Sequence, residues 1–336
     1  MFINKLQYVP AAGLRLGGVT AIAVAALMVP TSATAAAACR IDTLPVPAGT
    51  ISSNVIAGDS TGRYLVGSAL VATDEGSTSG PLLWVNGRLT DLPIPYPQSA
   101  LIDVNAAGTI TGRARGDGSV SAFRYQNGRF VTLAGLSPGD DTIPVALNNR
   151  GDVLGYSVTP RPDGTGDSHI VVWPANRPNS PRELVAPVGL NAIDIDDDGT
   201  VLGSAFNAQA ATYLWAPDGT IRQVRGPSGG TDVLAVAIRD RWIAGTDNYT
   251  TDSAAVAWRP SGGPVNVVPL DPAFPSTVNG HGDIALPGAI DRRHSGLITL
   301  PDLGGPSGVT VLSDRGPAAG FASDGSRQHA VVWHGC

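Results

Sequence analysis

The chain repeats itself, and the repeat constrains its fold more than any single residue does. Leu101-Ile-Asp-Val-Asn-Ala-Ala-Gly-Thr-Ile-Thr-Gly112, Val145-Ala-Leu-Asn-Asn-Arg-Gly-Asp-Val-Leu-Gly155 and Ala192-Ile-Asp-Ile-Asp-Asp-Asp-Gly-Thr-Val-Leu-Gly203 share one pattern. Each reads as a short alternating strand, an Asn/Asp-x-x-Gly turn and a second strand ending in glycine. Beyond a loop of variable length comes a strand that ends in an aromatic residue: Trp84, Tyr125, Trp173, Trp215, Trp258 or Trp333. A tight turn such as Asn86-Gly87 or Asn127-Gly128 then leads into a fourth strand; Asn-Gly between alternating strands is a strong hairpin signal. Successive aromatic landmarks lie 41, 48, 42, 43 and 75 residues apart. The last gap spans two units, one of them degenerate, placed at Val278–Leu286 with Gly296–Leu300 as its aromatic-less third strand. Seven units of four short strands at this period predict an all-β, seven-bladed β-propeller of four antiparallel strands per blade. No stretch carries a helical apolar period.

The ends of the repeat region suggest how the ring closes. The last unit stops after its third strand, at Trp333-His-Gly-Cys336, while Cys39-Arg-Ile-Asp-Thr-Leu44-Pro45 matches the missing half of a hairpin. Joined, the two resemble the intact Trp84-Val-Asn-Gly-Arg-Leu-Thr-Asp-Leu92-Pro93. An N-terminal strand completing the last blade leaves no unpaired edge there. It also places Cys39 and Cys336, the only cysteines, on either side of the broken hairpin, where adjacent strands meet disulfide spacing. The alternative is a lipidated Cys39 after Ala36-Ala-Ala, but the branched residue expected three positions earlier is missing.

The unit, roughly A-x-D-I-N-x-x-G-x-V-x-G followed by a strand ending in Trp, resembles the HAF-type repeat of bacterial extracellular proteins. The resemblance covers essentially residues 39–336. It departs at Arg241, which stands where the turn glycine belongs, and throughout Val278–Leu300. It implies a secreted propeller and carries no catalytic residues with it.

Residues 1–38 read as a secretory signal peptide: Lys5 and Arg15, a short apolar core from Gly17 to Met28, and an Ala-rich end. That core is too short to span a membrane, which takes about 20 residues, and no later segment is apolar for longer. The expected mature chain, 39–336, is therefore a single secreted domain without a helical span. Losing the leader removes two positive charges and moves the net charge from −6 to −8. An acidic chain without Lys/Arg clusters has no electrostatic footprint for nucleic acid. Lys5 is the only lysine, so Schiff-base chemistry and the P-loop lysine are excluded from the mature protein. A monomer is expected.

Three motifs invite chemistry. Asp194-Ile-Asp196-Asp-Asp198-Gly199 matches the start of a calcium loop, yet Leu202 and Ala205 fill its ninth and twelfth positions. The same place in sibling units is plainly a turn, which Asn and Asp favour; no cofactor is expected, with calcium as the weak alternative. The recurring tryptophans could stack on sugars, but one register in every unit indicates core packing. Trp242, in a second strand beside Arg241, is the exception and is expected to be more exposed. The five histidines show no metal-ligand spacing, and no G-x-S-x-G elbow is present.

Variable loops join second to third strands and one unit to the next, so both classes emerge on the same face. Binding residues concentrate on such loops. Candidates are Asp74, Glu75, Arg161, Asp163, Asp167, Asp247 and Asp252, with Trp242 as an added binding candidate. They favour a binding or interaction module for an extracellular protein or glycan. The alternative is an extracellular polysaccharide hydrolase or lyase using acidic residues of that face.

Overall fold

The computed structural model describes residues 39–336 except 97, 117, 206–209, 249–252, 264 and 269–273. The described residues form strands and turns, with no helix among them. Seven four-stranded antiparallel sheets stand in a ring, and their first strands neighbour one another all the way round the axis. This is the seven-bladed propeller expected from the repeat. Blade one, for example, runs Thr50–Gly58, Tyr64–Thr73, Gly76–Val85 and Arg88–Thr90. Asn86 and Gly87 both take positive φ (51° and 73°), the geometry a two-residue type I′ hairpin requires.

Closure follows the broken hairpin. Arg40–Thr43 pairs antiparallel with Gln328–His334, setting Ile41 opposite Trp333, and so completes blade seven from the N-terminal side. Cys39 and Cys336 are joined by a disulfide with Cα atoms 4.6 Å apart.

The core is not one centre but seven clusters, one at each blade–blade interface. The repeat explains them. In every blade but the sixth, a bulge in the first strand faces the glycine of the second strand, for example between Val55 and Ala57 opposite Gly67. A Cβ on Gly67 would lie 2.1 Å from the Asn54 carbonyl oxygen and 2.8 Å from the Trp84 ring, so nothing larger fits there. Trp84 then packs back against blade seven, and its indole N–H donates to the Pro45 carbonyl at 2.7 Å. Trp173, Trp215, Trp258 and Trp333 do the same to Ala134, Val185, Arg225 and Pro301, each in the chain leaving the preceding blade. Each ring thus fills an interface and ties its one polar atom to the neighbouring blade. All five are at most 3 % exposed, which places them in the core.

Blades two, five and six depart from the pattern in instructive ways. In blade two Tyr125 holds the landmark register opposite Ile110, but Phe123 is the ring lying on Gly112, backed by Tyr96 and Phe130. In blade six the third strand is Ala289–Arg292, not Gly296–Leu300; the segment Gly296–Thr299 is the fourth. Asp291, opposite Ile284, takes the place of the tryptophan. The interface that lacks its ring is filled from the other side by Trp242 of blade five, against the backbone of Gly282. Trp242 is therefore 2 % exposed rather than open to solvent, with the guanidinium groups of Arg259 and Arg293 4.8 and 5.1 Å from its ring.

Candidate functional site

The Asn/Asp turns lie together on one face of the ring, where their side chains join blade to blade. Asn105 Nδ2 donates to the Asn148 carbonyl, and Asn148 Nδ2 to that of Asp196. Asn149 Nδ2 donates to Asp197 Oδ2, and the Gly280 N–H to Asp314 Oδ1. The D-I-N signature is thus an inter-blade connector.

The same holds for the calcium-like Asp194, Asp196 and Asp198. Asp194 accepts the N–H groups of Ile195 and of Ile238 on the next blade. Asp196 accepts those of Asp240 and Arg241, at 2.9 and 2.8 Å. Asp198 accepts from the Thr200 N–H and from Arg241 Nε. Their oxygens face protein donors instead of converging on one point. Arg241 is accounted for at the same time. Asp240 and Arg241 have φ of 48° and 64°, a glycine-free type I′ pair that costs energy. The Asp196 carboxylate offsets that cost by accepting both of its N–H groups.

Near the axis lies a charge cluster that the sequence did not single out. Asp103 accepts the Val104 N–H with one oxygen and the Leu147 N–H of the next blade with the other. Burial pushes its pKa up to about 7, partly opposed by Arg239. Burial likewise raises Asp194, again against the pull of Arg239. For Arg239 burial works downward, but Asp194, Asp103, Asp197 and Asp314 outweigh it and hold the guanidinium above its ordinary value. Arg239 occupies the repeat position of Asn105, Asn148 and Asp196, so aligning the units does bring it out as the odd member.

A pH dependence follows. An acid whose folded pKa exceeds its unfolded value holds its proton better when folded, so stability falls as pH rises between the two values. For Asp103 that interval runs from 3.8 to about 7, and Asp194 acts in the same sense. Asp198 and Asp283 are shifted downward, because hydrogen bonds and a neighbouring arginine outweigh burial; they act only below the ordinary carboxylate range. The melting temperature should therefore fall between about pH 4 and pH 7 and level off above, and Asp103→Asn should flatten that slope. An unchanged slope in the variant would remove Asp103 as its cause.

On the opposite, long-loop face the residues expected to bind do not assemble into one site. Asp74 and Glu75 are exposed at the tip of the long hairpin of blade one. Arg161 and Asp167 pair with each other across the blade-three hairpin. Asp163 accepts the Thr165 N–H and hydroxyl within its own turn, which holds its carboxyl below the usual range. Asp247 is buried and fixes the 226–230 loop by accepting the Ser228 N–H and hydroxyl. Trp242 belongs to the blade five–six core, and Asp252 lies outside the described residues.

Two clefts open on this face. One, of about 300 Å³ between blades one and two, is lined by Thr78, Ser79, Gln98, Ser99, Arg113 and Arg115 together with small apolar residues. The other, about 400 Å³ at blade four, is walled by Pro187, Val188, Leu190, Ala211 and Tyr213, with Gln223 and Asp232. Arg113 and Arg115 do not stand out in the sequence, because charge on a second strand reads as solvated surface. Only this unit carries basic residues one and three positions after the second-strand glycine; the siblings have Ser68/Leu70, Tyr156/Val158 and Phe321/Ser323.

No protein-family model and no curated protein matches the chain. Solved structures share its architecture at low identity. A streptogramin B lyase is 12 % identical with a TM-score of 0.54, covering 88 % of this chain and 98 % of its own. An acylaminoacyl peptidase of Pyrococcus horikoshii is 9 % identical with a TM-score of 0.61; the match covers 84 % of this chain but only 51 % of the peptidase. The β-propeller domain of the Trilobed protease of Pyrococcus furiosus is 9 % identical with a TM-score of 0.54, covering 84 % and 95 %. That domain is described as having an open velcro topology, whereas here the velcro is closed by strand 40–43 and a disulfide. These likenesses establish the fold.

Proposed function

We propose that the protein is an extracellular binding module that docks a protein or glycan on its long-loop face. The observation that carries this reading is the separation of the acidic candidates. Asp74 and Glu75 are exposed side by side at one hairpin tip, Asp167 pairs with Arg161, and Asp163 and Asp247 are held in local turns. None of them lines either cleft, whereas a glycosidase needs two carboxyl groups flanking one bond. Open clefts on a rigid ring are what a docking surface needs instead. The signal-peptide-like sequence of residues 1–38 and the Cys39–Cys336 disulfide support placement outside the cell, where such bonds persist.

Immobilised protein exposed to native culture fluid tests the reading. Its ligand should be retained intact and released unchanged. Release of shortened chains or unsaturated sugar ends would overturn the proposal in favour of the hydrolase or lyase alternative.

A further inference from the structure

We infer that the cleft between blades one and two takes a carboxylate-bearing polysaccharide, a polyuronate, with Arg113 and Arg115 as its anchors. The inference rests on the binding-module reading and names its ligand class. The two arginines occupy alternate positions of the second strand Ile110–Gly116, and both are exposed. Alternate residues of a strand face the same way and lie roughly 6.6 Å apart along it, so both guanidinium groups line the one cleft. Among the described residues neither arginine has a carboxylate partner. Each can therefore offer its planar fork to a ligand carboxylate, the geometry in which arginine binds most strongly.

The rest of the lining fits the rest of a sugar acid. Thr78, Ser79 and Ser99 supply hydroxyls, and Gln98, opposite Arg115 in the ladder, supplies an amide. These groups both donate and accept, as sugar hydroxyls do. Among the described residues no aspartate or glutamate lines the cleft, although the chain carries a net charge of −6. A polyanion approaching such a protein is repelled everywhere except at a local cationic spot. The acidic hairpin tip, Asp74 and Glu75, lies beyond Thr78 by roughly 10 Å of strand. An acidic peptide is the less fitting occupant. Its described lining holds no aromatic residue of the kind that anchors peptide side chains.

Titration calorimetry with the full mature protein decides the matter, using oligogalacturonate, an uncharged oligosaccharide of equal length and polyglutamate. Oligogalacturonate should bind, with affinity falling as salt is raised, and the R113Q/R115Q double variant should lose roughly tenfold per arginine. Both side chains are exposed, so the variant should melt like the wild type, which separates lost binding from lost folding. Equal binding of the uncharged sugar, tighter binding of polyglutamate, or undiminished affinity in the double variant would each overturn the inference. If no uronate binds while immobilised protein still retains an intact ligand from culture fluid, the ligand class falls and the binding-module reading stands. If neither occurs, both fall.

Discussion

Replacing Trp173, Trp215 or Trp258 by alanine should destabilise the protein by about 3–5 kcal/mol each, the range found when large core side chains are removed. These rings are at most 3 % exposed, and each lies in a different interface cluster. Deleting one empties a cavity between two blades and also strands a carbonyl of the preceding blade, that of Ala134, Val185 or Arg225. A phenylalanine in the same place keeps most of the packing and loses the indole donor. The Trp→Phe series should therefore cost only about 1–2 kcal/mol, near the worth of one hydrogen bond plus a small void. Thermal or denaturant unfolding of the two series measures both effects. If the alanine variants melt like the wild type, the tryptophans are not the blade-to-blade filling, and the glycine–bulge–tryptophan account of the repeat fails with them.

The Cys39–Cys336 bond should contribute on the order of 5 kcal/mol, because it closes a loop of nearly the whole folded chain. Its sequence separation is 297 residues. In the chain-entropy account the stabilisation comes from restricting the unfolded state and grows only slowly with loop length. A Cys336→Ser variant should retain the other six blades' pairing, yet its melting temperature should be well below that of the oxidised wild type. The weakest point should be the short strand Arg40–Thr43, whose four residues are held mainly by pairing with Gln328–His334. Hydrogen exchange should accordingly show 40–43 losing protection first in the variant. A variant as stable as the wild type would mean that pairing and packing close the ring without covalent help.

Most of the fold was legible because the repeat writes it seven times. The turn Asn/Asp and the second-strand glycine keep a nearly constant spacing, the third-strand tryptophan follows after a variable loop, and each has a physical reason that one interface makes plain. What was illegible lay where a unit broke the pattern and a neighbour compensated. Asp291 replaces the tryptophan of blade six, and the two-residue Pro287-Gly288 hairpin draws the third strand forward to Ala289. Local periodicity pointed instead to Gly296–Leu300. Trp242 read as exposed because its role depends on that missing ring in the next blade. The Asp103, Asp194 and Arg239 cluster joins blades two, four and five, a proximity created only by closing the ring. The candidate binding residues were chosen by charge in variable loops. That rule selected carboxylates used within their own turns and passed over Arg113 and Arg115, which lie in a strand.

Ring closure from the N-terminal side is the claim on which the rest depends, and it has a direct covalent test. Proteolytic fragments of the non-reduced protein should contain one linked pair of peptides, one carrying Cys39 and the other Cys336, that separates on reduction. Two unlinked peptides with free thiols, or a lipid on Cys39, would contradict it.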